Sequence, residues 1–250
     1  MLGYVIVSPG ERCTMAEKRQ LFVSCEHGGN RVPQNYQALF DAQEELLNSH
    51  RAYDPGALAL ARTLAEGMAA RLKTSQTTRL LVDLNRSSGS HSLFSERTKA
   101  LKKREKKQLL AEHYLPYRTA VSESMRELIA SDVQVVHLSV HSFTPVLHGN
   151  ERNADLGLLY NPAFREDKTF CRSWGGQLKE RLPDLRVRYN YPYRGTADGL
   201  VRTLRNKLEQ KDYLGIELEI NQRLLGKKNT FPGALMSGLL ETLQEMFVSD

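Results

Sequence analysis

Apolar positions recur along this chain with two different periods. Leu58, Ala61, Leu64, Ala65, Met68 and Leu72 fall at helical spacing, which predicts a helix over Pro55–Leu72. The same reading predicts helices over Leu109–Ile129, Phe164–Leu182 (stopped by Pro183-Asp184), Asp198–Gln210 and Gly233–Phe247. Between them lie short apolar or β-branched runs closed by turn residues. Gln20–Cys25, Thr78–Leu84, Val133–His141, Leu156–Tyr160, Arg186–Tyr189 and Gly215–Ile220 are each predicted as a strand. Alternation at this spacing, with no internal repeat or low-complexity linker, predicts a mainly parallel α/β sheet with helices on both faces. Ligands bind such sheets at the carboxyl ends of the strands, so residues just past each strand carry the chemistry.

Composition narrows the class without naming a function. The chain has 250 residues, 40% hydrophobic and 26% charged. That profile argues against disorder, a collagen-like repeat and a disulfide-stapled mini-protein. The length allows one large domain or two small ones, and one is expected. No apolar run approaches the roughly 20 residues that cross a bilayer, so no membrane partner is expected. The start, Met1-Leu-Gly-Tyr-Val-Ile-Val, lacks the ordered regions of a signal peptide, and Met1–Thr14 is expected to be a disordered leader. Cys13, Cys25 and Cys171 are widely spaced, which fits a reducing cytoplasm and argues against a cysteine-based structural zinc. Cys25, beside Glu26, reads as a buried small hydrophobe rather than a nucleophile, because a neighbouring carboxylate disfavours the thiolate.

The formal charge of +6 has a single address. Seven basic residues (Arg97, Lys99, Lys102, Lys103, Arg104, Lys106 and Lys107) and one acid, Glu105, account for all of it. A solvated helix start or a loop is the expectation, with a phosphate or acidic-partner site as the alternative. No aromatic residue is interleaved for base stacking, so nucleic acid is not the expected partner.

The predicted strand ends collect a chemically coherent set. The first delivers Glu26, His27 and Asn30, the second Asp83, Asn85 and Arg86, the third His141, and the last carries Glu217 and Glu219. Two histidines, carboxylates and an arginine suit a catalytic zinc, which needs about three protein ligands, an open position, a proton-accepting carboxylate and a cation for an anionic substrate. His137 and His141 lie four apart on a predicted strand, ~13 Å of chain, and cannot share one metal. His141, at the strand end, is the better ligand, and His137 is expected in the core, paired to a backbone group. His50, His91, His113 and His148 are expected to be structural or exposed. Glu217 and Glu219 share a strand face, ~6.6 Å apart. Two acids on a buried face are costly unless paired or functional.

Six strings in order extend this reading. Phe22-Val-Ser-Cys-Glu-His-Gly-Gly-Asn-Arg-Val-Pro33, Tyr53-Asp-Pro-Gly-Ala57 and Leu81-Val-Asp-Leu-Asn-Arg-Ser87 resemble the N-formylglutamate amidohydrolase family. So do Val140-His-Ser-Phe-Thr-Pro145, Asn190-Tyr-Pro-Tyr193 and Ile216-Glu-Leu-Glu-Ile-Asn-Gln222, the whole set spanning about residues 20 to 225. The resemblance implies a fold similar to zinc carboxypeptidases and aminoacylase-like deacylases: a single three-layer α/β/α domain over residues 1–250 around a mostly parallel, mixed central sheet. It implies that His27 and His141 bind one zinc ion and that Asn85 and Arg86 grip a substrate carboxylate. Arg152 is a second candidate anion contact, and Tyr193 lines the site. Glu219 matches the glutamate that activates water and shuttles its proton, with Glu217 the alternative base. Carboxypeptidases draw a further ligand from His-x-x-Glu, whereas here the string is His27-Gly-Gly-Asn30, and asparagine is a poor zinc ligand. Asp54, which belongs to the family pattern, is taken as the third ligand, with Glu26 and Asn30 as alternatives. On the residues alone, Asp54 reads equally as a helix N-cap before Pro55.

The expected activity is zinc-dependent amide hydrolysis of N-formylglutamate or a related N-acyl amino acid, a small-molecule substrate. A carboxypeptidase-like peptidase or cell-wall amidase is the alternative enzyme. A non-catalytic anion or nucleic-acid binder using residues 97–107 is the alternative from another class.

Overall fold

The strand β1 (Arg19–Cys25) opens the described part of the chain, since the computed structural model describes residues 19–248. The expected leader Met1–Thr14, with Cys13 in it, lies outside those residues. After β1 come the short helix α1 (Glu44–Leu47), α2 (Ala57–Gly67) and β2 (Arg71–Thr74). A long loop then leads to α3 (Lys103–Leu109) and α4 (Leu115–Ile129), followed by β3 (Gln134–Phe143) and the two-strand hairpin β4 (Val146–Leu147) and β5 (Asn150–Glu151). The rest is β6 (Leu156–Leu159), α5 (Arg165–Arg181), β7 (Val187–Tyr189), α6 (Leu200–Arg205), β8 (Tyr213–Asn221) and α7 (Gly233–Val248).

Six strands form one sheet in the order β2-β1-β3-β8-β6-β7. Every neighbouring pair is parallel except β6 with β8, so the sheet is mixed and mostly parallel, as expected. Side chains alternate across a sheet, and the sequence uses that alternation to build two different faces. Leu21, Val23, Val136, Leu138, Val140, Leu214, Ile216 and Leu218 point one way, into a core closed by α2, α5 and α7. The opposite face carries Phe22, Val135 and Tyr213 under α4 and α6 at its lower end. Towards the carboxyl ends it turns polar: Ser24, His137, Ser139, His141, Glu217 and Glu219 all lie on this side by register. The result is a three-layer α/β/α arrangement whose apolar packing is complete on one face and gives way to chemistry on the other.

Four predicted elements differ from the fold. Thr78–Leu84 is not a strand. Its apolar residues Leu80, Leu81, Val82 and Leu84 instead sit in a buried loop packed with Tyr36, Phe40, Leu93 and Leu109. A short buried apolar run satisfies a strand and a packed loop equally well, so pattern could not separate them. The second strand is β2, which begins within the last residues of the segment predicted as helix, because α2 stops at Gly67. The predicted helix Leu109–Ile129 begins earlier, in the basic segment, and is interrupted by a π turn over Leu110–Tyr114. Pro116 explains the interruption: it has no N–H and its ring crowds the carbonyl four residues back. The helix predicted over Asp198–Gln210 is confined to α6.

The basic segment is thus a helix start on the surface. The backbone N–H of Lys102 donates to Glu105, Lys106 donates to the Lys99 carbonyl, and Arg97 turns inward to Gln43. Lys99, Lys102, Lys103, Arg104 and Lys107 are exposed. None of the helices among the described residues is long and apolar enough to cross a membrane.

Candidate active site

Local backbone ties bring three ligand-type side chains to one point at the carboxyl edge of β1 and β3. His27 follows β1 by two residues, and its carbonyl accepts from the backbone N–H of Asp54 (2.9 Å). The Asp54-Pro55-Gly56 turn is closed by Gly56 at φ 81°, a conformation that glycine adopts without strain. Ser142, next to His141 on β3, donates through Oγ to the Pro55 carbonyl at 2.7 Å. Asp54 does not cap α2; its carboxylate turns away from the helix into the site, where its Oδ2 lies 3.4 Å from His27 Nδ1 and 2.9 Å from His141 Nδ1.

The other nitrogen of each ring is already committed. His27 Nε2 lies 2.8 Å from Asp83 Oδ1, and an ionised carboxylate can only accept, so the proton sits on Nε2. Ser139 gives its hydroxyl proton to Glu26 Oε2 (2.6 Å), so its Oγ accepts from His141 Nε2 at 2.9 Å. Both Nδ1 atoms are left with lone pairs aimed at the same carboxylate oxygen. That arrangement is repulsive unless a cation lies between them. Ligand atoms of a tetrahedral metal with bonds of about 2 Å stand roughly 3.3 Å apart, close to the two histidine–aspartate separations. The three side chains, all buried, could hold a metal ion. Without one, a second proton on His141 must relieve the repulsion. Burial opposes that proton, but Asp54 and Glu26 overcome the penalty and hold the imidazole well above its usual basicity.

A cavity of about 130 Å³ opens onto this cluster. His27, Asp54, Asn85, Arg86, His141, Tyr193, Glu217 and Glu219 line it, together with Arg79. Arg152 lies behind Tyr193, its guanidinium 4.9 Å from the ring centroid, and its buried Nη1 has no partner among the described residues. Glu219 is the cross-strand neighbour of His141, while Glu217 pairs with Ser139 deeper in the sheet. Burial pushes the Glu219 carboxyl up to about 8, with the Asp54 and Glu217 charges adding to the shift against His141. Its Oε2 has no partner among the described residues. Glu217 is raised too, chiefly by burial. Gly157 faces Glu219 across the antiparallel pair, and a Cβ there would lie 2.1 Å from the Tyr191 carbonyl. Only glycine lets the Asn190–Tyr193 turn close over the site.

Some predicted residues have other roles. Asn30 donates to the Leu47 carbonyl (2.9 Å) and does not join the ligand group. Glu26 accepts from Ser139 and Tyr117 behind His141, on the ring edge away from Nδ1. Asp83, Asn85 and Arg86 come from the packed loop, not from a strand end. Asn85 Oδ1 accepts the Leu200 N–H at the start of α6, and Arg86 Nη1 donates to the Asp198 carbonyl at 2.7 Å. His137 is buried as expected, but its partners are side chains, Ser24 Oγ at 2.8 Å and Tyr213 OH at 2.7 Å, rather than backbone. Cys25 is fully buried, and burial first, then Glu26, raises its thiol. His50, His91 and His148 are exposed.

Sequence reasoning missed Arg79, which bridges Asp54 Oδ1 (3.3 Å) and Asp83 Oδ2 (2.8 Å). The signal was available in charge balance: buried Glu26, Asp54 and Asp83 require a nearby cation, and Arg79 is four residues before Asp83.

The mixed α/β sheet gathers at its carboxyl edge a buried His-Asp-His group and a cavity lined by two arginines, and the family that its sequence matches is one of amide hydrolases. The chain is a member of the N-formylglutamate amidohydrolase family, whose sequence profile matches residues 19–225. A structure of a gene product from Agrobacterium tumefaciens is similar, with 30% identity, a TM-score of 0.78, and coverage of 94% of this chain and 92% of that one. An N-formylglutamate amidohydrolase from Ralstonia eutropha JMP134 shares the fold at 15% identity and a TM-score of 0.61, covering 93% and 94%. No curated protein matches by sequence.

Proposed function

We propose that this protein hydrolyses the acyl–nitrogen bond of an N-acyl amino acid, N-formylglutamate foremost, with a zinc ion held by His27, Asp54 and His141. The observation that carries the reading is the convergence of two imidazole lone pairs on one aspartate oxygen inside the cavity that exposes Glu219. When bound, zinc supplies Lewis acidity, polarising the amide carbonyl and making water nucleophilic at neutral pH. Arg86, at the cavity wall, supplies a cation for a substrate carboxylate, and Arg152, stacked behind Tyr193, adds positive charge on that side. Glu219 acts as the proton carrier. Its Oε2, without a partner among the described residues, is free to take a proton from water and return it to the leaving amine. Its position beside His141 favours it over Glu217 for this role. The small cavity favours a compact N-acyl amino acid over a peptide or a cell-wall amide. Two buried free cysteines among the described residues fit a reducing cytoplasm.

The test is amine release from a panel of N-acyl amino acids and peptides by zinc-loaded and chelator-treated protein. Metal-dependent release from N-formylglutamate or a close analogue is expected. Release only from peptides, or equal release after chelation, would overturn the reading.

A further inference from the structure

Among the described residues, Arg79 is the one cation that bridges both carboxylates on the His27 side of the cluster, and nothing in the proposed chemistry uses it. Its two terminal nitrogens are divided: one takes Asp54 Oδ1, the other Asp83 Oδ2. Each contact removes one oxygen from competition. With Oδ1 of Asp54 engaged, only Oδ2 faces the two Nδ1 atoms. With Oδ2 of Asp83 engaged, Oδ1 stays on His27 Nε2 and fixes which ring nitrogen carries the proton.

Building on the reading that His27, Asp54 and His141 hold a divalent metal, we infer that Arg79 is a positioning residue, a planar fork that locks Asp54 as a one-oxygen ligand and His27 in its metal-ready tautomer. Charge supports the assignment. Arg79 offsets part of the negative charge that Asp54 and Asp83 bring into the buried site, and a divalent ion at the cluster would offset more. Shape supports it as well. Bridging two carboxylates at fixed separation needs the rigid guanidinium, whereas a lysine ammonium is a point charge on a flexible stem. Arg79 is reached from the cavity, so direct contact with substrate is the competing role, and the experiment must tell the two apart.

The experiment compares wild type, Arg79→Lys and Asp83→Asn, using zinc and cobalt(II) as probes. Metal affinity is measured by chelator competition, coordination by the cobalt d–d absorption, and folding by the melting of the metal-free proteins. Loss of a group that orients a ligand from behind typically weakens metal affinity by about 10–100-fold. Both variants should show a loss of that size and an altered cobalt spectrum. In the double variant the losses should be less than additive, because both act on one ligand geometry. An Arg79→Lys protein that binds metal as tightly as wild type, with an unchanged cobalt spectrum and a raised KM, would overturn the inference and place Arg79 on the substrate. If Arg79→Lys fails to fold, Asp83→Asn alone decides: unchanged metal affinity and spectrum would equally overturn it. Wild type that binds neither metal would defeat the metal reading itself, a distinguishable result.

Discussion

Two imidazole nitrogens on one aspartate oxygen call for a cation or an added proton between them, and a third buried histidine shows what burial does where no carboxylate faces the ring. The ring of His137 lies between Ser24 and Tyr213, and burial lowers its pKa to about 4. In the unfolded chain the same ring takes a proton below about pH 6.5. Between these values the unfolded state binds more protons, so the contribution of His137 to stability is complete above pH ~6.5 and is lost as pH falls towards ~4. The loss amounts to roughly 3 kcal/mol over that window. Urea unfolding of wild type and His137→Gln between pH 4 and pH 7 should show the steeper decline in wild type. Identical pH slopes would contradict a neutral buried His137. The residues of the cluster differ in how visible they are from sequence. His27, His141 and Glu219 stand in or just beyond β-strands, where alternation sets which way each side chain points. Asp54 and Arg79 are held by turns and a packed loop, whose geometry has no period to read.

At the level of elements, the alternating strands and helices were readable because the core imposes them. β3 and β8 carry apolar residues on one face and site residues on the other, so both strands and the shared face of Glu217 and Glu219 follow from the pattern. The misreading of residues 78–84 has the opposite origin. Leu81 is as buried as any strand residue, and burial alone does not distinguish a ladder from a packed loop. β2, only four residues long with no buried position, has a single apolar residue, Leu72, which falls in with the helical spacing before it. The loop is a structural element in its own right, since it carries Arg79, Asp83, Asn85 and Arg86 into the site on a hydrophobic anchor. Leu81→Ala should therefore cost about 2–5 kcal/mol in chemical denaturation, the range for a core leucine. A cost below about 1 kcal/mol would show that the loop is not anchored as described.

Across the molecule, one sheet divides labour between its faces. α2, α5 and α7 seal an apolar core on one side, while the other opens at the carboxyl edge into a polar cavity. That edge is where a doubly covered α/β sheet places its ligands. Family membership fixes the class of chemistry, and the ligand geometry supports a mechanism for it. The basic segment 97–107 contributes a solvated helix start, so the chain's net charge says little about its substrate. Everything proposed for the site depends on the His27–Asp54–His141 group holding a metal. Metal content per chain decides this, by elemental analysis after zinc loading and desalting, for wild type and His141→Ala. About one zinc per wild-type chain is expected, with near-complete loss in a variant that still folds. Equal zinc retention by folded His141→Ala would contradict the assignment.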